Sequence, residues 1–299
     1  MVLAAGLGTR LAPLTHEVPK PLVWLGDRPL IDDILARLAA QGFSRVVANT
    51  HHLAERFDAA WKVRQPLDVT LVHEPHILGT GGGLANAAGL LGKGDVLVWN
   101  ADIAAELDVA KLLAAHDGSD AVATFVTGPI KPSRAGTLGL DASGGIVRVR
   151  AFDAGGEVAS ADYAGIAILR PSLRKRLPKD GCLVGDALIP ALQNGERAAT
   201  FSLATPFFDL GTPRLYLDAN IAWLARRGLD SYLHPSAVIG PEVSLERCVV
   251  AADARVEGRG VLKDVVVWPA ATALAPLESA VVTPNRVVNV EPGSDQSSG

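Results

Sequence analysis

Short apolar strands alternate with amphipathic helices along the first half of the chain, and no other feature restricts the fold as strongly. Val2-Leu3-Ala4-Ala5 reads as a buried strand running into glycine. Leu30, Ile31, Ile34, Leu35 and Leu38 then fall at helical spacing, with Gly42 as a stop. "SRVVANT" is a strand, and Leu53, Phe57 and Trp61 mark a second helix. "DVTLVHE", "DVLVWNAD" and "DAVATFVT" are further strands, separated by the helices "GGLANAAGLL" and "VAKLLAAHD". This order predicts an α/β protein with a doubly wound, mostly parallel sheet.

The rhythm then changes. "GTLGLDASGGIVRVRAF" reads as a hairpin turning at "ASGG", and "DYAGIAILRP" resumes an apolar strand. A short helix "ALIPALQNGE", a strand "AATFSLA" and the loop "FFDLGTP" follow. Pro213 suits the start of a helix that Gly228 would end. Beyond residue 230 helical periodicity stops, and short valine-rich steps separated by small residues suggest degenerate hexapeptide repeats of a β-solenoid. The expected organisation is a domain over 1–230, a short solenoid over 231–286 and a polar, disordered tail over 287–299. "VLKDVVVW" is apolar enough to predict a contact between subunits across a two-fold axis.

The 299 residues suffice for a full α/β core. A net charge of −4 argues against a nucleic-acid partner, which calls for a basic face. No apolar run approaches the roughly 20 residues of a membrane span. The apolar start lacks a basic n-region and contains Arg10, so a secretory signal is not expected and a cytoplasmic location follows. Cys182 and Cys248 stand in no metal or redox spacing and read as reduced structural thiols. The pairs His51-His52 and His73/His76 read as ordinary loop histidines.

Between the first strand and the first helix lies a glycine-rich, cationic loop. Gly6, Gly8 and Thr9 allow backbone N–H groups close to an anion, and Arg10 adds a planar cationic fork. No Gly-Lys-Ser/Thr follows, so this is no Walker A loop. Position 11 is leucine, so the dinucleotide G-x-G-x-x-G is also incomplete, and Lys20-Pro21 occupies the region where that reading wants an acid.

"LAAGLGTRLAPLT" followed by "PKPL" resembles the signature of the sugar-1-phosphate nucleotidylyltransferases. "EPHILGTGGGLANA" (74–87), "NAD" (100–102), "DYAGIAIL" (162–169) and "FFDLGTP" (207–213) fit that family in the same order. The resemblance implies a Rossmann-like catalytic domain, and in several members a left-handed β-helix at the end. It also implies attack of a sugar 1-phosphate on the α-phosphorus of a nucleoside triphosphate, with loss of pyrophosphate. Such chemistry needs charge neutralisation and positioning more than a protein nucleophile.

On the matching positions, Arg10 would hold the β and γ phosphates, and Lys20, stiffened by Pro19 and Pro21, would contact the α-phosphate and the incoming sugar phosphate. Asp102 would bind Mg²⁺ with Asp209 as second carboxylate; the alternative for Asp209 is a helix cap before Pro213. Asn100-Ala101-Asp102 stands where the family has Asn-Gly-Asp, and alanine takes a positive φ less readily than glycine. Nucleotide contacts would come from Leu3, Ala4, Ala5, Gly6, Gly8, Thr9, Glu74, Gly79, Thr80, Gly81 and Asn100, and sugar contacts from Gly136 and Tyr163.

"EPHILGTGGGL" with a solenoid resembles mannose-1-phosphate guanylyltransferases and heptose-1-phosphate relatives, pointing to GTP and mannose 1-phosphate. The triple glycine is similar to that of shorter uridylyltransferases acting on N-acetylmuramate 1-phosphate, which lack a solenoid. A regulatory subunit that binds nucleotide sugar without turnover is a further reading, against which the joint presence of Arg10, Lys20, Asp102 and Asp209 speaks. The expected partners are a nucleoside triphosphate, a sugar 1-phosphate and a second copy of the chain through its C-terminal region.

Overall fold

A computed structural model describes residues 1–291. Contacts divide the chain into two units: Met1–Gly6 with Leu35–Phe207, and Leu7–Ile34 with the chain from Phe208 onward. The sequence boundary at 230 therefore does not coincide with the division, because the loop after the first strand groups with the end of the chain.

The first unit is built on a seven-stranded sheet. Its strands are β1 (Val2–Leu3), β2 (Arg45–Thr50), β3 (Asp68–His73), β4 (Val96–Asn100), β5 (Ala123–Thr127), β6 (Tyr163–Leu169) and β7 (Ala198–Ser202). They lie in the order β7-β5-β6-β4-β1-β2-β3. All neighbours are parallel except β6, which runs antiparallel to both β4 and β5. Strands buried on both faces need near-continuous apolar runs, and β5 ("ATFVT") and β6 ("YAGIAIL") supply them. The expected hairpin forms: Leu138–Leu140 pairs antiparallel with Ile146–Val149 within a separate five-stranded sheet.

Helix α1 (Leu30–Ala40) ends as the sequence predicts. Gly42 has φ +89°, the N–H of Phe43 donates to Leu38 O and that of Gly42 to Ala39 O, a Schellman stop. The helix expected over Leu53–Trp61 is instead broken. Leu53 has φ +48°, a single 3₁₀ turn spans Ala54–Arg56, and α2 (Ala59–Val63) starts afresh where the Asp58 carboxylate accepts from the N–H of Trp61 at 2.6 Å. Helices α3 (Gly79–Asn86) and α4 (Val109–Asp117) complete the set used below.

In the second unit α5 (Pro213–Arg226) starts at Pro213 and stops at Gly228, as expected. After it come β8 (Tyr232–Leu233), β9 (Val238–Ile239), β10 (Val243–Glu246), β11 (Val249–Val250), β12 (Arg255–Val267), β13 (Thr272–Thr283) and β14 (Arg286–Asn289). Tyr232 pairs with Val249, Val238 with Arg255, Val243 with Gly260 and Arg255 with Thr272, in parallel and 17 residues apart; after a register shift past Gly258 the offset falls to 15, as in Leu262 with Leu277. These stacked parallel turns form a solenoid whose repeats are unequal and shorter than the roughly 18 residues of three hexapeptides, which is why the sequence register drifts. Strand β14 turns back antiparallel on β13, in the stretch where the tail was expected to begin. The remainder of that expected tail, 292–299, lies outside the described residues.

Most of "VLKDVVVW" is covered by the chain itself. Leu262 and Val265–Trp268 are buried within the chain itself. The indole N–H of Trp268 donates to the Tyr216 hydroxyl on α5 at 3.0 Å, and that hydroxyl donates to Trp24 O at 2.5 Å. The solenoid thus covers the apolar face of α5, which carries Tyr216, Leu217 and Trp223. Ending the chain at residue 230 uncovers that face. Such a truncation is expected to be poorly soluble and to bind a hydrophobic dye; a soluble monomer without dye binding would contradict this packing.

Candidate functional site

In the first unit the chemistry-bearing residues collect at one edge of the sheet. Strands β1, β2, β3 and β4 are parallel, and their register sets Leu3 beside both Asn49 and Asn100, and Thr50 beside His73. Ala4, Ala5, Glu74 and Asp102 therefore follow the carboxyl ends of neighbouring strands, where open α/β sheets bind ligands.

Asn49 ties this edge together. Its Oδ1 accepts from the Ala4 N–H at 2.8 Å, and its Nδ2 donates to Glu74 Oε1 at 2.7 Å. The other carboxylate oxygen of Glu74 accepts from the Leu78 N–H, at the start of α3. Glu74 is fully buried. Each oxygen of Glu74 accepts from a protein donor, which fixes the exit of β1 against the start of α3 at the position where a nucleotide contact was expected. Asn49 was missed by sequence reasoning. The signal was a lone amide inside the apolar run "VVANT", in a strand buried on both faces.

The triple glycine is explained by close packing. A Cβ on Gly79 (φ +73°) would collide with Gly181 O, and one on Gly83 would meet Asn49 Nδ2 at 2.7 Å and Glu74 Oε1 at 2.8 Å. The N–H groups of Gly81 and Gly82 both donate to Gly181 O, so Gly81 has no backbone donor left for a ligand. The Thr80 hydroxyl accepts from the Leu183 N–H and donates to Cys182 Sγ. Gly83→Ala is expected to cost about 1–3 kcal/mol in urea unfolding, because a buried hydrogen-bonded pair must move. An unchanged midpoint would contradict the contact.

Ala101 does not take a positive φ, so the missing glycine of "NAD" imposes no strain. Its N–H donates to Leu3 O. The Asn100 side chain lies over Gly165 (φ +67°), where a Cβ would sit 3.0 Å from its Nδ2. Gly136 packs on Ala161 with no room for a side chain, and its N–H donates to Ser160 Oγ at 2.8 Å. The Tyr163 ring meets Phe125 edge-on with centroids 5.1 Å apart, and burial pushes its hydroxyl pKa up. His51 Nδ1 lies 2.7 Å from Glu74 O, and among the described residues no group of three or more His, Cys, Asp or Glu side chains is placed to hold a metal.

The second unit holds the cationic part. Gly8 (φ +65°) has Thr15 and Lys20 so near that a Cβ would lie 2.8 Å from Thr15 Cγ2 and 3.0 Å from Lys20 Cβ. The Thr15 hydroxyl donates back to Gly8 O, and Thr9–Leu11 closes into a 3₁₀ turn that presents Arg10. Gly6, in the first unit, has open space around its Cα. Lys20 heads another 3₁₀ turn and is only 8% exposed. Its Nζ lies 3.5 Å from Asp209 Oδ1, and Arg10 Nη2 lies 3.7 Å from Asp209 Oδ2. Gly211 makes room for this trio: a Cβ there would be 3.1 Å from both Arg10 Nη2 and Asp209 Oδ1. Asp209 is not the cap of α5; the Thr212 side chain accepts from the Leu215 N–H and does that work. Residues at least 189 positions apart in sequence thus form one cluster of two cations and a half-exposed carboxylate.

The first unit thus offers a mostly parallel sheet with polar residues past its strand ends, and the second a group of two cations with a carboxylate. The chain belongs to the nucleotidyl transferase family, whose model matches residues 1–226. A mannose-1-phosphate guanyltransferase of Schizosaccharomyces pombe is 31% identical over 232 residues, covering 75% of this chain and 64% of that protein. A mannose-1-phosphate guanylyltransferase of Mycobacterium tuberculosis is 38% identical over 127 residues, 42% of this chain and 35% of that protein. The chain therefore spans less than two thirds of the length of these two relatives. An N-acetylmuramate alpha-1-phosphate uridylyltransferase of Caulobacter vibrioides is 34% identical over 224 residues, 62% of this chain and 87% of that protein. The structure of HddC from Yersinia pseudotuberculosis complexed with GMP-PN shares the fold, with a TM-score of 0.61 at 24% identity over 74% of this chain and 97% of that one.

Proposed function

We propose that this chain transfers a nucleotidyl group from a nucleoside triphosphate to a sugar 1-phosphate, releasing pyrophosphate and forming a nucleotide sugar, with GTP and mannose 1-phosphate as substrates. The observation that carries the reading is the cluster of Arg10, Lys20 and Asp209, drawn from both ends of the chain in a member of this family. Arg10 neutralises the departing β and γ phosphates, and Lys20 is aimed at the α-phosphate. Leu3, Ala4, Ala5, Gly6, Gly8 and Thr9 offer backbone to the triphosphate, Gly79, Thr80 and Asn100 to the nucleoside, and Gly136 and Tyr163 line the approach of the sugar. Residues 1–230 carry this chemistry, and the solenoid over 231–286 supports it.

Asp102 and Asp209 are the carboxylates we assign to Mg²⁺. A donor set of one or two carboxylates suits this ion, which completes its octahedron with water and phosphate oxygens. When bound, the ion supplies charge neutralisation on the phosphates. With nucleoside triphosphates as substrates, the cytoplasm is the setting that goes with this reading.

The guanylyl assignment is supported by two relatives of that name. The uridylyl alternative is supported by the Caulobacter relative, of which this chain covers the larger share. Pyrophosphate release, measured for four nucleoside triphosphates against a panel of sugar 1-phosphates, tests both. GTP with mannose 1-phosphate is expected to be fastest. UTP with N-acetylmuramate 1-phosphate ahead of it would move the assignment, and binding of nucleotide sugar without any release would make the chain a regulatory subunit.

A further inference from the structure

Glu17 lies in the same loop as Arg10 and Lys20, three residues before the lysine, and no substrate role is assigned to it. Its side chain is 9% exposed and is gripped from the far end of the chain. The Thr283 hydroxyl and Arg286 Nε donate to its Oε1 at 2.6 and 3.0 Å, and Asn285 Nδ2 donates to its Oε2 at 2.8 Å. All three donors sit on the turn that joins β13 to β14, the last turn of the solenoid. The turn is itself stitched by the N–H groups of Asn285 and Arg286 donating to the Thr283 hydroxyl oxygen. A carboxylate with three side-chain donors, one of them a cation, is a strong and directional fixture.

The loop needs such a fixture. Between Leu7 and Pro29 it holds only single 3₁₀ turns and a pair of two-residue strands. From the geometry we infer that Glu17 is a positioning residue, and that the terminal turn Thr283–Arg286 is a clasp that holds the Arg10–Lys20 loop in its working conformation. This inference rests on the transferase reading. It gives the solenoid end a part in catalysis that the subunit contact expected from "VLKDVVVW" would not. Misplacing a phosphate-aimed ammonium by about 1 Å is costly in rate while leaving the rest of the nucleotide contacts in place.

The test replaces Arg286 with alanine and with lysine, and Glu17 with glutamine and with alanine, in the full chain. Lys263→Ala, which breaks the exposed Lys263–Glu278 pair on the same solenoid, is the control. Arg286→Ala and Glu17→Ala are each expected to lower kcat about tenfold with KM for the triphosphate within about threefold. Arg286→Lys should retain most of the rate, and the double variant Glu17→Ala with Arg286→Ala should be no worse than the poorer single. Hydrogen exchange of residues 8–20 should quicken in the same variants and not in the control. A kcat within twofold of the unaltered chain, a change in KM alone, or unaltered exchange over 8–20 overturns the clasp. If Glu17→Ala does not fold, Glu17→Gln and Arg286→Ala carry the same comparison. Exchange reads the clasp without turnover, so a failure of the transferase reading leaves this result intact and distinguishable.

Discussion

Replacing Lys20 with alanine is expected to lower the transfer rate by about a hundredfold to a thousandfold, the usual cost of removing one preorganised charge from a developing transition state. Three features of the structure set that size. Lys20 is nearly buried, so its charge acts where water screens little. Pro19 and Pro21 fix its backbone, so little entropy is lost in aiming it. Asp209 and Arg10 stand beside it, so the local charge is already arranged for an anion. Lys20→Arg should restore only part of the rate, since a planar fork does not replace a compact ammonium in a site shaped by Gly8 and Thr15. The measurement is single-turnover transfer with thermal unfolding alongside. Loss of stability with an unchanged rate would make Lys20 a structural residue.

The second large effect is expected at Asp102. Asp102→Asn keeps the shape of the side chain and removes its charge, and activity should fall by about a hundredfold or more while the fold persists. EDTA should do the same to the unaltered chain, and added Mg²⁺ should restore it. Ala101, buried and without a positive φ, holds the turn before Asp102 by donating to Leu3 O, an anchor the substitution leaves in place. Near-normal turnover in Asp102→Asn, or in EDTA, would remove the metal assignment.

Much of this was legible beforehand because it is local. Gly42 and Gly228 end their helices through positive φ, and a single residue announces that. The apolar runs of β5 and β6 announce strands covered on both faces. What was not legible depends on contacts between distant residues. The Leu53–Trp61 pattern looks like one helix because periodicity does not record the cap at Asp58. "VLKDVVVW" looks like a subunit contact because an apolar run reads the same whether its cover is another chain or, as here, α5 of its own. Glu74 could be singled out from its motif, but the donors on its oxygens, Asn49 and the Leu78 N–H, are brought to it by the fold. Arg10, Lys20 and Asp209 could be named from their motifs, but their meeting is a property of the fold alone.

The most direct measurement is of the products. The chain is mixed with GTP, mannose 1-phosphate and Mg²⁺, and the mixture is analysed by mass spectrometry and for pyrophosphate. Transfer as proposed yields GDP-mannose and pyrophosphate in equal amounts, and nothing when the sugar phosphate is left out. Release of inorganic phosphate with GDP, or no nucleotide sugar from any pairing of triphosphate and sugar 1-phosphate, would contradict it.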